Sequence, residues 1–300
     1  MSSCCLQINA EGKQQSFPKD PTRTLGIRKR WIGQFEVRFR ALKGRINELL
    51  LRGDNSDLLL VNQFEFTSNP NAVVEFLLWL QIQIDQTIFG NRRGASDAWQ
   101  NQYIDQAYLR GIRASKAELR KLGFTAEQLA AATPAQLAGT LSLGLATGVG
   151  LRLIDLNTIH LDAVRLLHTR DFAALKGITD EMSKQIARVL VEAIEQGLGT
   201  AAIAKLINDR VDKIGKTRSK LLARTEVIRA YNVSTINEFK ILAQQLGIEP
   251  QYQWITAGDS RVRPTHAERN RVVYDEKRAY SLIGEPNCRC ALKPYFGDEI

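Results

Sequence analysis

Trp254-Ile255-Thr256-Ala257-Gly258-Asp259-Ser260-Arg261-Val262-Arg263-Pro264-Thr265-His266 is the stretch from which the C-terminal part of the chain is read. From Tyr252 to Thr256 aromatic and polar residues alternate, as they do along a strand. Ala257-Gly258-Asp259-Ser260 is turn chemistry, because glycine permits unusual backbone angles and an aspartate can bond its own following amides. If Arg261 and Arg263 are extended they point to one side, Pro264-Thr265-His266 ends the segment, and Val272-Val273-Tyr274 is a second strand candidate. Upstream, residues 216–245 read as one long helix carrying Ala223-Arg224-Thr225-Glu226, with Leu221, Leu222, Thr225, Ile228, Asn232, Thr235 and Phe239 towards one side. Arg224 precedes Glu226 by two residues and diverges from it. Arg229 follows by three and is the predicted partner. Downstream lies Pro286-Asn287-Cys288-Arg289-Cys290.

These three pieces, in this order and spacing, resemble the C-terminal domain of phage head morphogenesis (minor head) proteins, the family that includes protein F of phage Mu. The resemblance runs from about residue 179 to 294. It takes in the helix–Gly197-Leu198-Gly199–helix arrangement that leads into the Ala-Arg-Thr-Glu piece. It implies a structural role for Arg224, Thr225, Glu226, Trp254, Asp259, Arg261, Arg263, His266, Cys288, Arg289 and Cys290, and no catalytic residue. It further implies a virion component at the portal vertex, made in the bacterial host cytoplasm and acting in head assembly and DNA packaging or ejection. The implied partners are the portal protein, capsid or scaffolding protein, and double-stranded DNA, with no membrane. One departure is plain. Where a His-x-x-x-(Asn/Asp)-Gly turn is usual, this chain has His266, Asn270 and then Arg271, which puts the turn in doubt.

His266, Cys288 and Cys290 supply three positions of a tetrahedral zinc site, with Asp259 or water as the fourth. Three readings stay open: packed thiols with no cofactor, a structural zinc, and a catalytic metal. Cys-x-Cys is a poorer ligand spacing than Cys-x-x-Cys, and small buried thiols are common core residues. An enzyme reading uses His266 with Asn270 and the nearby arginines as a nuclease-like set, or the same C-terminal domain as a toxin-like enzyme. No second acidic cluster supplies a magnesium site, and no nucleophile or glycine-rich phosphate loop accompanies Arg224 and Glu226. A free DNA-binding protein is the third class.

The formal charge of +9 and pI near 9.5 favour a polyanionic partner. The excess is concentrated between Lys19 and Arg52, where ten Lys or Arg face three Asp or Glu. Within that segment Ile32, Phe35, Phe39, Leu42, Ile46 and Leu49 line one helix face, while Arg28, Lys29, Arg30, Arg38, Arg40, Lys43 and Arg45 lie off it. That basic set is the candidate nucleic-acid or partner-binding surface; the alternative is a solvated face. Met1–Ala10 has neither a basic n-region nor an apolar h-region, and 137–151 is too short to span a membrane. Four cysteines in two clusters make no disulfide framework, as in a reducing cytoplasm.

The remaining chain reads as helices. One starts after Asn69-Pro70-Asn71, one after Ser96-Asp97 with Trp99, Tyr103 and Tyr108 as core, and one covers 116–132. Residues 159–175, carrying His160 and His168 as half-exposed packing residues, are another, and Thr179-Asp180-Glu181 is read as the cap of the next. The organisation predicted is a flexible arm over 1–24, a helical region over 25–210 and the motif-bearing domain over 211–300. The fold class is a mainly α N-terminal region followed by a small α+β C-terminal domain.

Overall fold

The structure is a computed structural model that describes residues 20–51, 66, 71–92, 94–121, 123–126, 129 and 158–297. The arm up to residue 19 and the apolar tract over 137–151 lie outside the described residues. Five long helices come first: α1 (Leu25–Leu51), α2 (Ala72–Thr87), α3 (Asn101–Lys121), α4 (Thr158–Glu195) and α5 (Thr200–Leu246). Then follow β1 (Gln251–Ile255), α6 (Pro264–Glu268), β2 (Val273–Asp275), α7 (Glu276–Leu282) and β3 (Ala291–Tyr295). This is the predicted class, a mainly α region followed by a small α+β unit.

Everything is built on α5. Helices α1, α3 and α4 pack along it, and β3 and α7 pack on its C-terminal half. From Thr225 to Phe239 every residue of α5 except Arg229 is buried. A helix surrounded in this way needs no amphipathic stripe, and its polar residues are taken up by neighbours. Tyr252 in β1 donates its hydroxyl to the Ile236 carbonyl (2.9 Å). Asn232 receives the Leu292 amide (2.8 Å) and donates to the Cys290 carbonyl (3.1 Å), which fastens β3 to the helix. At Gly111 the backbones of α3 and α5 come so close that a Cβ would overlap Ser234 Oγ and the Tyr231 carbonyl oxygen.

Two expected breaks are absent. Helix α4 runs straight through Thr179-Asp180-Glu181, because Leu175, Met182, Ile186 and Leu190 continue one buried stripe and outweigh the capping residues. Thr179 bonds back to the Lys176 carbonyl (2.8 Å), as an interior helical threonine does. Helix α5 likewise passes residue 211 unbroken, with Val211, Ile214 and Leu222 buried, and a Cβ at Gly215 would meet the Phe39 ring at 3.0 Å. Gly197 (φ 69°) and the extended Gly199 separate α4 from α5. Residues 20–24, assigned to the arm, form the turn that leads into α1. Asp20 accepts the Leu25 amide (2.7 Å) and pairs with Arg28 (3.0 Å).

In α1 the buried face is Ile27, Trp31, Phe35, Phe39, Leu42, Ile46 and Leu50, rotated slightly from the expected one, with Ile32 and Leu49 at its edge. Trp31 stacks on Tyr103 (5.5 Å between ring centres) and Phe35 meets Trp99 edge-on (5.2 Å), so the aromatic stripe of α3 is core. The segment Ala72–Phe89 is long and apolar enough to cross a membrane by length and composition, yet its Phe76, Leu80, Ile84 and Ile88 are buried in this core.

The sheet is antiparallel with order β2-β1-β3. Strand β3, Ala291-Leu292-Lys293-Pro294-Tyr295, is additional to the two strands read from the sequence and contains a proline. An edge strand tolerates one, and β3 is an edge. Tyr252 and Trp254 point inward, fully buried.

Candidate functional site

The motif pieces converge on the closing loop, residues 285–290. Arg224 donates to the Asn287 side chain (3.1 Å), and Thr225 Oγ1 accepts the Asn287 amide (3.2 Å) while donating to the Leu221 carbonyl (2.8 Å). Asn287 sits at φ 60°, a left-handed conformation that asparagine tolerates better than most residues. Arg289 grips Asp259 with both guanidinium nitrogens, one at 2.7 Å, and Arg261 adds a third nitrogen at 3.0 Å. These bonds, Arg289's first, hold the Asp259 carboxyl well below the usual carboxylate range.

Arg261 and Arg263 do not act together as the extended reading predicted. The chain turns at residues 259–262, so Arg261 goes to Asp259 whereas Arg263 reaches Glu285 (2.9 Å) and the Pro286 carbonyl. Pro264 then starts α6 instead of merely ending a strand. That short helix turns His266 inward to 2% exposure, beneath Trp254 (5.8 Å between ring centres, edge-on).

His266 Nδ1 faces Cys290 Sγ (3.4 Å) and Cys288 Sγ (3.5 Å), and its Nε2 lies 2.7 Å from Glu285. The Cys290 amide donates to Cys288 Sγ (3.3 Å). All three ligand-type atoms lie within 4.8 Å of one another, and all three residues are buried. Burial opposes ionisation of Glu285, but its bonds to His266 and Arg269 outweigh this and its pKa falls below the ordinary value. The neighbouring Cys290 likewise lowers Cys288, while Cys290 itself is raised. Asp259, taken up by two arginines, is not a fourth member of this group.

The predicted Glu226–Arg229 pair is replaced by one across the fold. Glu226 pairs with Arg170 of α4 (3.2 Å), and Arg229 turns to the Ile283 carbonyl (3.3 Å). Beside Glu226 lies Asp171, fully buried, whose pKa is pushed well up by burial and then by the Glu226 charge. His160 and His168 are also buried, not half-exposed. His168 meets Asp105 at 2.7 Å; His160 lies 3.2 Å from Glu238 and 2.9 Å from the Tyr108 hydroxyl. These carboxylate partners lie on other helices, so no local pattern announces them.

The missing glycine at 271 changes less than the sequence suggests. Arg271 takes the left-handed angle itself (φ 68°), its amide bonds the Trp254 carbonyl (2.7 Å), and Asn270 accepts from the Thr256 amide (3.0 Å). A side chain at that angle costs roughly 1–2 kcal/mol, partly offset by the extra freedom glycine gives the unfolded chain. Arg271→Gly is therefore expected to raise stability by about 0.5–1 kcal/mol, read as a small upward shift in a urea midpoint. An unchanged or lower midpoint would show that Arg271 contributes contacts worth more than its backbone strain.

The basic set on α1 divides. Arg28 is buried against Asp20, and Arg38 lies over the Trp99 ring (4.1 Å) and donates to the Thr87 carbonyl (3.1 Å) at the end of α2. Lys43 pairs with Asp212 (2.6 Å), Arg30 donates to Gln106 (2.7 Å) and Arg45 lies 3.8 Å from Glu48. Lys29, Arg30, Arg40 and Arg45 are exposed. The sequence reading passed over Lys213, Lys216, Arg218 and Lys220 of α5, four exposed cations in eight residues without an acid, on a helix that packs against α1.

A small sheet clamped to a long helix through a buried Cys-Arg-Cys loop thus defines the C-terminal region as an internally bonded structural unit. Residues 184–293 match the model of the family described as phage Mu protein F like protein, which bears out the resemblance in that region. That family is one of phage head morphogenesis, structural in kind. An uncharacterized protein of Methanocaldococcus jannaschii is 27% identical over 126 residues, covering 40% of this chain. The chain matches only about a fifth (19%) of that relative's length. No solved structure matches the chain with significance.

Proposed function

We propose that this chain is a minor head protein of a tailed phage or prophage, seated at the portal vertex and acting in head assembly and the handling of packaged DNA. The observation that carries the reading is the family match over residues 184–293, in which the motif residues bond one another and His266 is buried among them. The exposed cations of α1 and α5 support a polyanionic contact. They flank a cavity of about 330 Å³ lined by Arg40, Lys43 and Lys216 together with Glu36 and Asp212. DNA phosphates, or an acidic surface of the portal ring, suit that face.

Co-expression with a phage portal protein, followed by size-exclusion chromatography in moderate salt, tests the proposal. Co-elution with the portal ring is expected. Elution alone at monomer size, free of nucleic acid, would overturn it. If DNA is the contact, affinity falls steeply between low and physiological salt, in proportion to the phosphates neutralised.

A further inference from the structure

We propose that His266, Cys288 and Cys290 bind one zinc ion, which ties α6 to the loop that enters β3. The proposal does not depend on the phage reading. It rests first on distance. A tetrahedral zinc with Zn–S of about 2.3 Å and Zn–N of about 2.0–2.1 Å separates a bound sulfur from a bound nitrogen by about 3.5–3.6 Å. His266 Nδ1 lies 3.4 and 3.5 Å from the two sulfurs, so both nitrogen–sulfur separations already have the length such an ion requires, and the sulfurs lie within 4.8 Å of each other.

The imidazole is also set up as a ligand. Glu285, an acceptor when ionised, takes the proton on Nε2 at 2.7 Å, which leaves Nδ1 as a bare lone pair aimed at the thiols. A carboxylate on the far nitrogen is the usual outer partner of a zinc-bound histidine. Glu285 is itself held by Arg263 (2.9 Å) and Arg269 (3.0 Å), so the orientation of the ring is fixed from both sides. On the sulfur side the Cys290 amide points at Cys288 Sγ (3.3 Å), a bond that favours thiolate.

Two thiolates and one imidazole are soft and intermediate donors, which select zinc over magnesium or calcium. On binding, two S–H protons leave to solvent, two Zn–S bonds and one Zn–N bond form, and the doubly positive ion offsets both thiolate charges. Water takes the fourth position. Asp259 does not, since its oxygens are held by Arg289 and Arg261. With the three ligands at 2–7% exposure, the ion acts as a cross-link between segments 22 and 24 residues apart in sequence.

The full chain, purified in a thiol-free reductant and refolded with zinc, is tested by elemental analysis after desalting. One zinc per chain is expected, and cobalt in its place gives the sulfur-to-metal absorption of a thiolate site. Glu285→Gln keeps all three ligands and is expected to fold while losing about 10–100-fold in zinc affinity. Cys288→Ser is expected to lose the metal. Less than a tenth of a zinc per chain with no cobalt–thiolate band would overturn the proposal. So would a full equivalent retained when Cys288 and Cys290 are both replaced.

Discussion

Gly111→Ala is expected to destabilise the protein by about 3 kcal/mol or more, lowering its melting temperature by roughly 6–12 °C. One methyl group is enough because of where it lands. On α3 at the crossing with α5, the new carbon overlaps the Ser234 hydroxyl and, beyond it, the Tyr231 carbonyl oxygen. The hydroxyl could rotate, but it already donates to that same carbonyl (2.7 Å). The carbonyl is backbone in the middle of a buried helix and cannot yield without moving the helix. Overpacking costs most where the obstacle is rigid. Gly177 on α4 provides the internal control: it has open space around a virtual Cβ, so Gly177→Ala is expected to add up to about 1 kcal/mol through helix propensity. Urea denaturation of the pair gives opposite signs. Two variants of equal stability would mean that the α3–α5 crossing is looser than described.

The second large effect is at Asn232. Its side chain lies at 2% exposure and does for β3 what a neighbouring strand would do, receiving the Leu292 amide and donating to the Cys290 carbonyl. Asn232→Ala leaves both backbone groups in the interior without a partner, at about 1–3 kcal/mol for each. The expected loss is therefore about 2–6 kcal/mol, with a local signature that a general loss of packing does not give. Amide exchange at Leu292 should accelerate far more than at Tyr231 or Val233 of the helix itself. Uniform acceleration across α5 and β3 would remove Asn232 from the role of anchor.

How much of this was legible differs from residue to residue. The face of α1, the aromatic core of α3 and the Gly197–Gly199 break follow from periodicity and glycine chemistry, both local. The motif residues meet around the closing loop, yet their pairings were not readable. Glu226 finds Arg170 from 56 residues away rather than Arg229 from three, and His168 finds Asp105 across 63. Sequence spacing ranks near neighbours, whereas burial rewards whichever charge the packing of α3, α4 and α5 brings close. Capping residues misled for the opposite reason. Thr179-Asp180-Glu181 signals a helix start strongly in isolation, and the buried stripe from Leu175 to Leu190 overrules it. At Arg271 the expected glycine is absent, but the bonds of Asn270 and the Trp254 carbonyl impose the turn on whatever residue is there.

Helix α5 has one more consequence. Forty-seven residues at about 1.5 Å each make a rod of about 70 Å. Its N-terminal half carries α1, its C-terminal half carries the closing loop and the sheet, and α4 lies along both. Because it is continuous through residue 211, it offers no joint at which one half could swing against the other. The molecule is a strut: it sets a fixed reach between what its two ends hold, and passes a push at one end directly to the other.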